Sequence, residues 1–168
     1  RLTMPEDEPQ PRIAGEPGLD FLQEVGVFLA TCRTASLATL GSDGRPHAAN
    51  VQYAQDDALR LYYVSSPDSR HSQDLDAEPH AALTVYAHDD RATNIHGVQM
   101  RGRVDPLDDP ADKNRAFELY TGKFTFVAAM PQFRQIVENQ RFYRFTPEWV
   151  RWIDNRRGFG FKIEKSLD

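Results

Sequence analysis

Much of what marks the common functional classes is missing from this chain. It has one cysteine, Cys32, in 168 residues, which excludes an intrachain disulfide framework and a multi-cysteine metal site. No stretch approaches the roughly 20 apolar residues that span a membrane. The first residues lack the basic and apolar regions of a signal peptide. Together these point to a reducing, cytoplasmic setting with no membrane partner. The five histidines (His47, His71, His80, His88 and His96) show no paired ligand spacing. His88-Asp89-Asp90 reads as a turn, so no metal is expected. Also absent are a Gly-rich dinucleotide loop after a strand, a GK[ST] phosphate loop and a GxSxG nucleophile elbow. Positive charge is scarce as well: 20 Lys and Arg stand against 25 Asp and Glu, a net charge of −5. That balance excludes a nucleic-acid binder, which carries a basic face.

What is present is a good core. Hydrophobic residues make up 40% of the chain, with 10 Phe, 6 Tyr and 2 Trp, enough for one folded domain of ordinary size. Residues 1–17 are rich in Pro, Glu and Asp and read as a disordered or extended lead-in; residues 18–168 read as a single domain. Asp20 to Cys32 carries Phe21, Leu22, Val25, Phe28 and Leu29 on one helical face, and Cys32 at its end reads as a buried structural thiol.

Strands dominate the rest. Ala35–Leu40 and Pro46–Gln55 flank Gly41-Ser42-Asp43-Gly44, a strong hairpin turn. Asp56-Asp57 turns into a third strand. Ala81–His88 is rich in β-branched and aromatic residues, and Ile95–Val104 contains Gly97 and Gly102 as bulges or points of close approach. Helices are expected over Pro110–Tyr120 and Thr125–Glu138, the second interrupted by Pro131, with Phe124, Phe126 and Met130 in the core. Phe142–Phe145 and Val150–Ile153 read as two further strands. Strands joined by tight turns predict a mainly β fold with peripheral helices, an antiparallel barrel rather than a parallel doubly wound sheet. The interior of so small a barrel fills with side chains, so a ligand is expected outside it or at a subunit boundary.

Ala58–Leu75, ALRLYYVSSPDSRHSQDL, is the segment with most chemistry. A β run ends at Ser65-Ser66-Pro67 and a short polar helix follows, with Ser66 expected as its cap and Pro67 in its first helical position. A helix start offers free backbone N–H groups, and Ser69, Arg70 and His71 add hydroxyls and positive charge. These are the parts of a seat for a phosphate monoester.

The order ASLATLGSDGRPHAANVQY, LYYVSSPDSRHSQDL, HAALTVYAHD and IHGVQMRGRVDPL resembles the FMN-binding split-barrel superfamily related to pyridoxamine 5′-phosphate oxidase. The resemblance covers roughly residues 20 to 165. GVQMRG (Gly97–Gly102) and DNRRGFGFK (Asp154–Lys162) are similar to an uncharacterised bacterial subgroup of it. The resemblance implies a split β-barrel, a homodimer and FMN bound at the dimer interface. It places His47, Ala48, Ala49, Asn50 and Val51 of the second strand against the flavin ring. Val64, Ser65, Ser66, Ser69, Arg70 and His71 would hold the ribityl chain and phosphate. Gln99 would meet the flavin's polar edge, and Trp152 and Asn155 would lie in a tail that packs the dimer or covers the flavin.

Two departures stand out. His71 occupies the place of a Lys in the oxidase, and Ala49 that of an Arg. Each lost charge-assisted contact is worth about 1.5–3 kcal/mol, so weaker FMN binding is expected. The residues that bind pyridoxal phosphate in the oxidase have no counterpart here, so pyridoxamine phosphate oxidation is not expected. The leading expectation is an FMN-dependent oxidoreductase with an unknown small-molecule substrate or electron donor. Two alternatives stay open: a non-catalytic FMN carrier or sensor, and a barrel that binds haem, a deazaflavin or no cofactor.

Overall fold

The computed structural model describes residues 19–167, so the lead-in expectation for residues 1–17 lies outside the described residues. Helix α1 (Leu19–Thr31) buries Phe21, Val25, Phe28 and Leu29, the face its periodicity predicts. Six strands then form the barrel: β1 (Thr34–Leu40), β2 (Pro46–Gln55), β3 (Leu61–Ser65), β4 (His80–Tyr86), β5 (His96–Pro106) and β6 (Arg141–Asp154). All neighbouring strands are antiparallel, in the order β3-β2-β1-β4-β5-β6, and β3 pairs with β6 to close the ring. A seventh strand, β7 (Lys162–Ser166), adds to the outer end of β6.

Inward positions on each strand fill the barrel. Leu37, Tyr53, Leu61, Tyr63, Leu83, Val85, Met100, Phe145, Val150 and Trp152 form one core with the buried face of α1. Helices α3 (Pro110–Lys123), α4 (Thr125–Ala129) and α5 (Pro131–Glu138) lie outside, where Tyr120, Phe124 and Val127 form a second core with Tyr62 and Phe142. Phe124 is buried as expected, whereas Phe126 and Met130 are 50% and 44% exposed. Cys32 follows α1 and is only partly buried, packed against the first core.

The hairpin turn forms as read, with Gly44 at φ 74°. Two other readings need correction. The two strands expected at 142–145 and 150–153 are one strand, β6, because Pro147 falls at a β-bulge. Arg101 pairs with Trp149 and Gly102 with Pro147, so Glu148 is the extra residue; a bulge is where a strand accommodates proline's missing N–H. The second correction concerns the helix after β3. Helix α2 runs over Arg70–Ala77 with Ser69, not Ser66, as its N-cap. Ser66 to Ser69 instead forms a turn closed by Ser69 N–H donating to Ser66 O at 3.1 Å. The fixed φ of Pro67 suits the second position of such a turn as well as a helix start.

Candidate functional site

β2 and β3 pair only over Tyr53–Gln55 and Leu61–Tyr63. Toward their other ends the two strands diverge. Pro46–Gln52 keep β1 on one side, but no strand lies on the other side among the described residues. The barrel is therefore split along this seam, and the backbone N–H and C=O groups on that edge of β2 have no ladder partners. Backbone polar groups need partners, so an open edge inside the fold is a place for a ligand. His47–Val51 supply this edge. Val51 faces the core, His47 and Ala49 are partly buried, and Ala48 and Asn50 are exposed. Asn50 Oδ1 accepts the Ser36 hydroxyl at 2.9 Å.

Across the split stand the end of β3 and the start of α2. The Ser65 hydroxyl lies 2.7 Å from His71 Nε2 and 3.2 Å from Ser69 Oγ. Ser69 Oγ also accepts the Ser72 N–H at 3.3 Å, the helix cap. Val64 faces the other way, toward the second core, and Ser66 accepts the Asp68 N–H. Burial holds the His71 imidazole below its usual range, against the pull of Asp74. Its neutral form is thereby favoured, which leaves this cluster rich in hydroxyls but poor in fixed charge.

Arg70 turns away from these hydroxyls. Its Nε donates to Asp74 Oδ1 at 3.1 Å, its Nη2 to His47 Nε2 at 3.2 Å, and the Asp43 carboxylate lies 3.8 Å off. The expected phosphate seat thus comes apart into two flanks: Ser65, Ser69 and His71 on one, Arg70 and His47 on the other. Asp74, which joins Arg70 to His47, was missed from sequence. Its position four residues after Arg70 on one helix face was the available signal.

The three remaining expected residues are elsewhere. Gln99 lies on the outer face of β5, opposite Thr84 and Arg151. Trp152 is 1% exposed inside the barrel, packed on Phe28 at 4.9 Å between ring centres. Asn155 spends its amide on the backbone, donating to Ala92 O at 2.8 Å and accepting the Gly160 N–H at 3.0 Å. A separate groove of about 580 Å³ opens on the outer sheet face, lined by Ala38, Ala82, His80, Arg101 and Trp149 among others. None of the expected flavin residues lines it.

A closed six-stranded antiparallel barrel, opened along one seam and flanked there by a short polar helix, defines a split-barrel protein. Over residues 21–154 the chain matches the family described as pyridoxamine 5′-phosphate oxidase, and it belongs to that family. Among solved structures it is similar to a conserved hypothetical protein from Mycobacterium tuberculosis, with 25% identity over 80% of this chain and 85% of that one and a TM-score of 0.68. A heme binding protein from Mycobacterium smegmatis shares the fold at 17% identity, 86% of this chain and 57% of that one, TM-score 0.69. So does a Clostridium acetobutylicum protein of the pyridoxinephosphate oxidase family related to general stress protein 26, at 19% identity, 89% and 96% coverage and TM-score 0.63. No curated protein matches the chain.

Proposed function

We propose that the chain is an FMN-binding flavoprotein, an oxidoreductase whose flavin lies in the split between the open edge of β2 and the start of α2. The observation that carries this reading is the open edge itself: His47–Val51 leave one side of β2 without a strand partner, facing hydroxyls and an imidazole. Unpaired backbone groups suit the alternating donors and acceptors of a flavin ring, and Ser65, Ser69, His71 and the first N–H groups of α2 suit a phosphate. When bound, the flavin supplies hydride or electron transfer, and the protein supplies orientation and electrostatics. The family resemblance further implies a homodimer. In support, a row of small and flat residues crosses the outer face, Ala48–Ala38–Ala82–Arg101–Trp149 in register, which suits close approach of a second copy.

One observation favours a second reading, an exchangeable flavin in a carrier or sensor. The guanidinium of Arg70 is already matched by Asp74 and approached by Asp43, so the split has little net positive charge for a dianion. Fluorescence titration with FMN and riboflavin tests the site. FMN should bind at least about tenfold tighter, the equivalent of one charge-assisted contact, and Ser65→Ala should narrow that gap. Equal affinities for the two ligands would remove the phosphate seat. Turnover with a reduced nicotinamide separates the enzyme from the carrier, and binding of haem in place of either flavin would move the cofactor assignment to haem.

A further inference from the structure

Asp74 is 4% exposed, yet its carboxylate is fully engaged by donors from three elements. Oδ2 accepts the Thr39 hydroxyl of β1 at 2.8 Å and lies 2.8 Å from His47 Nδ1 of β2. Oδ1 accepts Arg70 Nε of α2 itself. A buried carboxylate is tolerated only when its lone pairs are matched in this way. Burial raises its carboxyl, and the hydrogen bonds from Thr39, His47 and Arg70 more than offset that, holding it below the ordinary carboxylate range.

The two contacts of His47 decide its proton. Arg70 Nη2 sits 3.2 Å from Nε2, and a guanidinium is a donor only. Nε2 must therefore accept, which puts the imidazole proton on Nδ1, donating to Asp74. Gly41 keeps the space for the ring, since a Cβ there would come within 2.6 Å of His47 Cε1.

We propose that Asp74 is the positioning residue of the split: it fixes His47 as the Nδ1–H tautomer and aims Arg70, whose Nη2 the bare Nε2 of His47 accepts. As applied to a ligand, this rests on the flavin reading. A phosphate oxygen is itself an acceptor and finds no partner on Nε2. With Nε2 unable to donate, and Arg70 already matched by Asp74 and approached by Asp43, the phosphate belongs on the Ser65, Ser69 and His71 flank. A ligand group that replaces Arg70 on His47 must donate, as a ribityl hydroxyl or a ring N–H does.

Nitrogen-15 NMR of the imidazoles tests this in the ligand-free protein, with His47→Gln assigning the signals. Wild type should show His47 protonated at Nδ1 and bare at Nε2. Asp74→Ala should move the proton toward Nε2, and Asp74→Asn, which keeps an oxygen for Nδ1–H, should restore the wild-type pattern. FMN affinity should fall about tenfold or more in Asp74→Ala, a loss of one good hydrogen-bonded contact, and fall less in Asp74→Asn, which keeps an oxygen for His47 but turns an amide N–H group toward Arg70 Nε. A wild-type His47 protonated at Nε2, or a tautomer indifferent to Asp74→Ala, overturns the proposal. The wild-type spectrum decides even if Asp74→Ala does not fold. A wild type that binds no FMN but shows the Asp74-dependent tautomer overturns the flavin reading and leaves the positioning role standing.

Discussion

Lys123 ends α3 with its ammonium pulled out of water. Its Nζ donates to Leu29 O at 3.0 Å and Gln55 Oε1 at 2.7 Å, and it lies 4.0 Å from the centre of the Tyr53 ring. The three donors of an ammonium are thus directed at two oxygens and an aromatic face. Tyr53 donates its hydroxyl to the same Leu29 carbonyl, one of those left free at the end of α1. Burial pushes the Lys123 amine down to about 8, against about 10.4 in an unfolded chain. Below pH 8 both states hold the proton and the burial cost is felt in full. Between about 8 and 10.4 the unfolded chain binds the proton and the folded one does not, so stability rises with pH. Lys123→Met should remove that rise. Urea midpoints of the two proteins should draw apart on raising the pH from 7.5 to 10, with wild type gaining relative to the variant. Parallel curves would mean that the amine keeps its ordinary affinity for the proton.

Among the elements, β5 shows how much a strand can owe to glycine. A Cβ at Gly97 would lie 2.5 Å from Val85 O and 2.9 Å from Tyr86 Cα, backbone atoms of β4 that cannot swing away. At Gly102 it would run into the backbone of Thr146 and Pro147, beside the bulge of β6. Gly97→Ala should therefore cost about 2 kcal/mol or more, as steric conflicts in a core do, read as a lower urea midpoint with the far-ultraviolet spectrum retained. An unchanged midpoint would contradict the close approach. Both glycines were legible in sequence as interruptions of a β-branched strand. The continuity of β6 was not: Thr146-Pro147-Glu148 has the composition of a turn, and only its pairing with Gly102 shows that the strand runs through. The cap of α2 was misread for a similar reason, since Ser66 and Ser69 are both good caps and the turn that separates them is set by the end of β3.

At the scale of the molecule, the barrel was legible because its strands are short, apolar on one face and joined by tight turns. One flank of the candidate site keeps its sequence neighbours together: Ser65, Ser69 and His71 are close along the chain and remain so in space. The meeting of the other flank at Asp74 was not legible. Thr39 and His47 lie 35 and 27 residues before Asp74 along the chain, and periodicity carries no information about contacts of that range. Nor does any local pattern announce where β2 parts from β3, which is the feature that opens the barrel. Trp152 looked like part of a covering tail because it sits near the C-terminal end, yet the alternation along β6 turns it inward. The fold thus sets a hydroxyl and imidazole flank, an open strand edge and an Asp74–His47–Arg70 flank around one seam.

The central claim is that this seam holds a flavin. The visible absorbance spectrum of the purified protein, taken before and after addition of excess FMN and desalting, tests it most directly. The account predicts a flavin spectrum that survives desalting, with bands perturbed from those of free FMN. A colourless protein after desalting, together with unquenched FMN fluorescence on titration, would contradict it.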